Sequence, residues 1–324
     1  MWAIKVLLNW GNNMQSRVFE YFRDLQMNKE DVEHSVFVKS QDFKKSQDTY
    51  TSNVKKYMLD GISYYVKSWN DEQSIAGVTT SQMYNHIGIL TPPAYIICRN
   101  TKAKQTLSTV TQNVQSLKKL VVELASSSEQ VKKFRHHYGE RFFNYFQWQI
   151  FTDKHTQNTL LKFMTQGCIE QLIDIFLVDE LRTDKDRHNS NYYLYKSPNS
   201  DKYEGVIPID LELVDILQHK PCTSTEFNSY IWRKPYTTFT PTGVITNPKT
   251  YHERMCDLRE LLNKGNIPNR NIETLKKALS FDYPQTIAQT CQNPHLQKYK
   301  NSTYEPYARL WEYNRETLGK DLDL

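Results

Sequence analysis

The sequence predicts an α+β protein with a small sheet-bearing N-terminal lobe over residues 1–105 and a larger helical lobe over residues 106–324. Three observations carry that expectation. Short β-type segments crowd the first hundred positions, helical periodicity takes over from about Thr106, and one strand pair, "YYLYK" with "GVIPID", interrupts the helices. A chain of 324 residues buries roughly three quarters of its unfolded surface, so both parts can hold a core.

In order along the chain, "SVFVK" and "GISYYVKSW" read as strands, joined by polar connectors such as "SQDFKKSQDTYTSN". Residues 71 to 87 place Ile75, Val78, Met83 and Ile87 at helical spacing. "GILTPPAYIIC" then reads as a turn and a strand, with Pro92 and Pro93 at its start. The first third is therefore strand, strand, helix, strand. Beyond it, "TVTQNVQSLKKLVVELA", the aromatic segment around "RFFNYFQWQIF" and "IEQLIDIFLVDEL" read as helices, the last with Ile169, Leu172, Ile173 and Phe176 on one face. The strand pair is joined by "SPNSDKYEG", and Pro208, which cannot donate to a ladder, makes its second arm an edge or irregular strand. After Tyr251 helices return in "HERMCDLRELLNK", "IETLKKALS" and a Tyr- and Trp-rich tail.

Composition narrows the function. With 41 Lys and Arg against 36 Asp and Glu, the net charge of +5 falls short of a dedicated nucleic-acid binder. The aromatics of residues 142–151 are spaced for packing between helices rather than for stacking bases, so no nucleic-acid partner is expected. Cys98, Cys168, Cys222, Cys256 and Cys291 are widely separated, without CxxC or Cys/His clusters, which signals neither a disulfide framework nor a zinc site; Cys168 reads as a buried structural thiol. "MWAIKVLLNW" carries Lys5 and no cleavage pattern, and "LIDIFLV" is too short to span a bilayer. The expectation is a soluble, cytosol-type protein with no transmembrane segment.

The chemistry concentrates in "LRTDKDRHNSNYYLY", residues 181–195, and "GVIPIDLE", residues 205–212. Phosphoryl transfer needs positioning and charge neutralisation: an acid beside the attacking hydroxyl, an amide oxygen five residues on that reaches a metal, and a second carboxylate after the next hairpin. Asp186, Asn191 and Asp210 have that order and spacing.

Asp186-Arg187-His188-Asn189-Ser190-Asn191, preceded by a helix and followed by a hairpin ending in "PID", resembles the catalytic loop and metal-binding segment of phosphoinositide 3-kinases and their atypical-kinase relatives, HipA-like bacterial kinases among them. The resemblance covers about 45 residues closely, roughly the span of a loop, a hairpin and the helix before them. It implies a bilobal protein-kinase-like fold of the atypical, lipid-kinase-like type. It also implies a catalytic role for Asp186, a place for His188 near the transferred group, and Asn191 and Asp210 as metal ligands. ATP and Mg²⁺, with Mn²⁺ as an alternative metal, are the implied cofactors. Asp210-Leu211-Glu212 stands where the usual triplet is Asp-Phe-Gly, and loss of the Gly removes an easy backbone rotation.

A fold of this kind also needs a phosphate-binding cation at the end of a strand before the small lobe's helix. Lys67 meets that description, with Lys39 as rival. The Glu that normally pairs with this Lys from the helix is missing. Its neighbourhood holds Ala76, Gly77, Thr80 and Ser81, leaving Glu72 and Gln82 as the available partners.

The expected function is an ATP- and Mg²⁺-dependent kinase. Cations after Asp210 are limited to Lys220, Arg233 and Lys234, which favours protein Ser/Thr over a phosphoinositide as acceptor. The alternatives are a phosphoinositide kinase, a weakly active kinase-like module that binds nucleotide or a partner, and a nucleotidyl transferase. Lys132, Lys133, Arg135 and Arg141 form either a solvated helix face or a polyanion site for an inositol polyphosphate or an acidic activator. Abundant Lys, Asn, Gln and Tyr suggest an AT-rich bacterial genome. A single-domain atypical kinase from such a source is a toxin-type kinase or an effector exported into a host cell, and the effector is the expectation.

Overall fold

In the computed structural model the described residues are 44–51, 54–59, 62–67, 71–92, 94–101, 104–112, 122–124, 154–184, 191–195, 200–212, 215–221, 223–233, 249–292 and 296–322. The first sheet has five antiparallel strands in the order β1-β2-β3-β5-β4, built from β1 (Lys44–Thr51), β2 (Val54–Leu59), β3 (Ile62–Lys67), β4 (Ala94–Thr101) and β5 (Lys104–Gln112). β3 and β4 both run antiparallel to β5, in registers such as Val66↔Val110 and Tyr95↔Val110. They are therefore parallel to each other and need a crossover, which α1 (Asp71–His86) supplies. Lys67 ends β3 just before that helix begins.

The sheet corrects two sequence expectations. The polar "connector" before residue 60 forms β1 and β2, and the segment after Thr106 continues the sheet as β5 instead of starting a helix. Ladder bonding and the β-branched Thr and Val content of β5 outweigh the weak helical spacing of its few apolar residues. "SVFVK" lies outside the described residues.

Helix α1 is buried on nearly every side. Three of its hydroxyls are satisfied internally: Thr79 Oγ1 donates to the Ile75 carbonyl at 3.0 Å, Thr80 Oγ1 to Ala76 at 2.7 Å, and Ser81 Oγ pairs with Thr91 Oγ1 at 2.7 Å. Tyr283, much later in the chain, joins this set by bonding Thr80 Oγ1 at 2.6 Å and the Ala76 carbonyl at 3.0 Å.

A second sheet has the order β6-β7-β8, from β6 (Val122–Leu124), β7 (Tyr192–Tyr195) and β8 (Gly205–Pro208). β6 sits inside the stretch expected to be helical. The β7–β8 hairpin is antiparallel as expected, and Pro208 closes its second arm. Gly205 is needed there, because a Cβ would fall 2.1 Å from the Tyr195 ring.

The remaining helices are α2 (Lys154–Leu160), α3 (Gln166–Arg182), α4 (Asp215–His219), α5 (Ser224–Arg233), α6 (Tyr251–Asn263), α7 (Asn269–Ser280), α8 (Tyr283–Thr290) and α9 (Lys300–Leu322). Most of the longer ones begin where local chemistry allows. Thr165 Oγ1 accepts from Cys168 N to cap α3, Thr250 and Glu253 form a capping box on α6, and Asp282 accepts from Gln285 N on α8. The core between them is aromatic: Tyr283 stacks on Trp311 at 5.0 Å and tilts against Tyr307 at 4.6 Å. Cys168 and Cys291 are buried free thiols, with Cys168 driven up from its ordinary pKa by burial. Among the described residues no helix is long and apolar enough to cross a membrane.

One buried carboxylate gives the core a pH dependence. Asp174, mid-way along α3, is pushed up to about 6 by burial, while Asn271 Nδ2 donates to its Oδ1 at 2.7 Å. Thr274, Arg270 and Glu170 also face it. Because the folded pKa lies above the ordinary 3.8, its contribution to stability is complete below that value and is lost as pH rises through about 6. Asp174→Asn keeps an acceptor for Asn271 but has no proton to lose. Urea melts should show the variant gaining on the wild type by about 2–3 kcal/mol between acid and neutral pH. A difference that stays constant over that range would remove the effect.

Candidate active site

Lys67 is buried, and its ammonium pairs with the Asp210 Oδ1 atom, 143 residues later in the chain. Its second partner is Glu212, at 3.3 Å. Burial pulls the ammonium's pKa down, but Asp210 and then Glu212 outweigh it and hold the group above its ordinary 10.5. Glu212 is also buried, and burial lifts its carboxyl above the usual range; Lys67 opposes the shift and Asp210 adds to it. Two carboxylates around one ammonium leave a net negative charge, which suits a divalent cation.

This arrangement corrects the expected partner of Lys67. Glu72 faces elsewhere, accepting from Lys220 Nζ at 2.6 Å and from Ser302 Oγ at 3.4 Å, and its carboxyl lies below the ordinary range because those bonds and Lys220's charge outweigh burial. Gln82 is exposed. The carboxylate comes instead from the segment that follows the β7–β8 hairpin. Helix α1 makes way for it at Gly77, where a Cβ would fall 2.6 Å from Glu212 Cγ.

Asp210 adopts a left-handed backbone, φ 55, which Asp tolerates better than most residues, and its side chain is 39% exposed. It follows the hairpin, whose ends are tied by Ile209 N donating to the Asn191 carbonyl at 2.9 Å. Asn191, buried at the start of β7, and Asp210 therefore lie at the same end of the hairpin. Oxygen donors of this kind fit Mg²⁺.

Sequence reasoning missed the residue that fixes the segment. Arg182, fully buried at the end of α3, donates from Nη2 to the Leu211 carbonyl at 2.5 Å and from Nη1 to Asp184 at 3.1 Å and Asp179 at 3.3 Å. Tyr84 of α1 donates to the same Asp179 at 2.5 Å. Asp184, Asp179 and Tyr283 help keep the guanidinium charged against the cost of burial. The helix then stops at Thr183, left-handed at φ 59, whose Oγ1 accepts from Ile216 N at 3.2 Å. The available signal was a charge-rich end, "VDELRTD", on an otherwise apolar helix.

Asp186 and His188 lie outside the described residues, as do Lys39 and the cations Lys132, Lys133, Arg135 and Arg141. Asp184 and Asn191, the described residues on either side of positions 185–190, are both buried.

A small antiparallel sheet with a crossover helix, followed by a mostly helical part, is a kinase-like α+β fold. It is similar to the crystal structure of the Helicobacter pylori proinflammatory kinase CtkA, with a TM-score of 0.54 and 12% identity over 87% of this chain and 97% of that one. HipA of the Shewanella oneidensis toxin–antitoxin system, solved with HipB and operator DNA, aligns with a TM-score of 0.45 and 12% identity over 86% of this chain and 67% of that one. No protein-family model matches the sequence, and no curated protein matches it.

Proposed function

We propose that this chain is an ATP- and Mg²⁺-dependent kinase of atypical type that transfers the γ-phosphoryl group to a hydroxyl, with protein Ser/Thr as acceptor. The supporting observation is the meeting of Lys67, at the end of β3, with Asp210, after β8. A strand-end ammonium and a hairpin-end carboxylate from distant parts of the chain converge where one can take nucleotide phosphates and the other a metal. On this reading Lys67 binds the α and β phosphates, and Asp210 with Asn191 holds Mg²⁺. Asp186 orients the acceptor hydroxyl and accepts its proton, with His188 beside it. Bound Mg²⁺ supplies neutralisation of the phosphate charge.

The cations near the segment support this choice of acceptor. Lys220 is engaged by Glu72 at 2.6 Å, which lessens what the surface beyond Asp210 offers an inositol phosphate headgroup and favours a protein hydroxyl. The reading includes a two-lobe division, with the sheet-bearing lobe running through Gln112. It also includes kinship with the lipid-kinase-like and HipA-like groups, and a role as a soluble bacterial effector answering to an acidic activator at Lys132, Lys133, Arg135 and Arg141.

Incubation with γ-labelled ATP and Mg²⁺ tests the reaction, using a basic protein substrate, phosphoinositide vesicles and an added inositol polyphosphate. Label is expected on protein and lost in Asp186→Ala. Label on lipid alone would change the acceptor. Transfer from α-labelled ATP would replace the kinase by a nucleotidyl transferase, and nucleotide binding without transfer would leave a binding module.

A further inference from the structure

We propose that Glu212, seated in the space left open by Gly77, is the positioning residue for Lys67, so that one short segment both holds the metal and aims the phosphate-binding ammonium. The inference rests on the kinase reading above and deepens it.

The argument begins with what Asp210 cannot do twice. Its carboxylate pairs with the Lys67 ammonium. A carboxylate drawn onto a divalent cation gives up most of its hold on a neighbouring ammonium. Lys67 then needs a second anchor, or its flexible stem lets the charge wander. Glu212 is that anchor, 3.3 Å away and 2% exposed, where water competes little for either charge.

The surroundings are built for it. Gly77 of α1 faces Glu212, and a Cβ there would fall 2.6 Å from Glu212 Cγ. The two acids of α1 are engaged elsewhere: Asp71 accepts from the Tyr299 hydroxyl and Glu72 from Lys220. The backbone just before Glu212 is pinned, since the Leu211 carbonyl accepts from the buried Arg182. A Glu fixed at both backbone and carboxylate holds Lys67 without help from movement of α1. Control of the ammonium thus belongs to the Asp210–Glu212 segment.

Calorimetric binding of Mg·ATP to the full chain, with thermal melts as a folding control, tests this. Glu212→Gln is expected to weaken binding about tenfold. The same substitution in a Lys67→Met background should add less than about twofold, because Glu212 acts through Lys67 and the cycle is non-additive. Gly77→Ala should weaken binding as well, and lose that effect once Glu212 is Gln. The exchange Gly77→Glu with Glu212→Gly returns a carboxylate to the same space from the helix side, and should recover affinity to within about threefold of wild type.

Additive losses, or a Glu212→Gln defect cured by raising Mg²⁺, would make Glu212 a metal ligand and overturn the proposal. So would unchanged affinity in Glu212→Gln. If wild type binds no Mg·ATP, the kinase reading falls and the inference falls with it; in every other outcome the two are separated.

Discussion

Asp210→Asn is expected to fold as well as wild type and to lose phosphoryl transfer by about 10²–10³-fold. The backbone reason is specific. Position 210 is left-handed at φ 55, where Asn is as comfortable as Asp, while Ala would add strain of about 1 kcal/mol and confuse the result. The electrostatic reason follows from the pairings of Lys67. Removing the Asp210 charge leaves Lys67 with Glu212, so the ammonium remains paired in the buried site. Lost with it is the charged member of the proposed metal pair, because Asn191 is a neutral amide. Nucleotide affinity should therefore fall when measured with Mg²⁺ and change little in chelator, where Lys67 alone meets the phosphates. Thermal melts that match wild type, together with a γ-label assay, read both parts. Transfer at the wild-type rate would remove Asp210 from the metal site.

Much of this site could be read in sequence because its parts carry periodic or punctuated signals. The apolar run of α3, the aromatic strand β7 and "GVIPID" with its Pro define a helix, a loop and a hairpin, and the structure has that helix and that hairpin. Lys67 was legible as the last residue of "ISYYVK" before a helix. The strands β1 and β2 were not. "KKSQDTYT" lacks apolar alternation, and it is ordered by pairing with β2 in registers such as Lys45↔Tyr57, a contact no local window contains.

The pairing of Lys67 was illegible for a related reason. A helix that lacks its Glu looks deficient when read alone, and "Asp-Leu-Glu" looks merely altered. Only in three dimensions do the two departures cancel, with Gly77 making room for Glu212. Helix α1 also hid its burial. Thr79, Thr80 and Ser81 are polar, yet each hydroxyl is satisfied inside the protein, two of them on the helix's own carbonyls. Polar sequence and solvent exposure come apart wherever short hydroxyl side chains find partners of this kind.

Arg182→Met is expected to be the most destabilising single change near the site, costing about 3–5 kcal/mol. Arg182 is 0% exposed, and its guanidinium serves Asp179, Asp184 and the Leu211 carbonyl together. Methionine fills much of the volume, so the cost is chiefly electrostatic. Asp184 is left buried without this cation, and Asp179 keeps the Tyr84 hydroxyl at 2.5 Å but loses its charge partner. The loss also reaches function, because the Leu211 carbonyl lies between Asp210 and Glu212. Freed from Arg182, the segment that presents both carboxylates to Lys67 loses its fixed point. Lysine at 182 should recover part of the stability and little of the geometry, since a single ammonium cannot span two carboxylates and a carbonyl as the guanidinium fork does. Chemical denaturation of Arg182→Met and Arg182→Lys, each followed by Mg·ATP binding under conditions where the variant is folded, separates the two consequences. A loss below about 1 kcal/mol in Arg182→Met would show that the buried carboxylates do not depend on this cation.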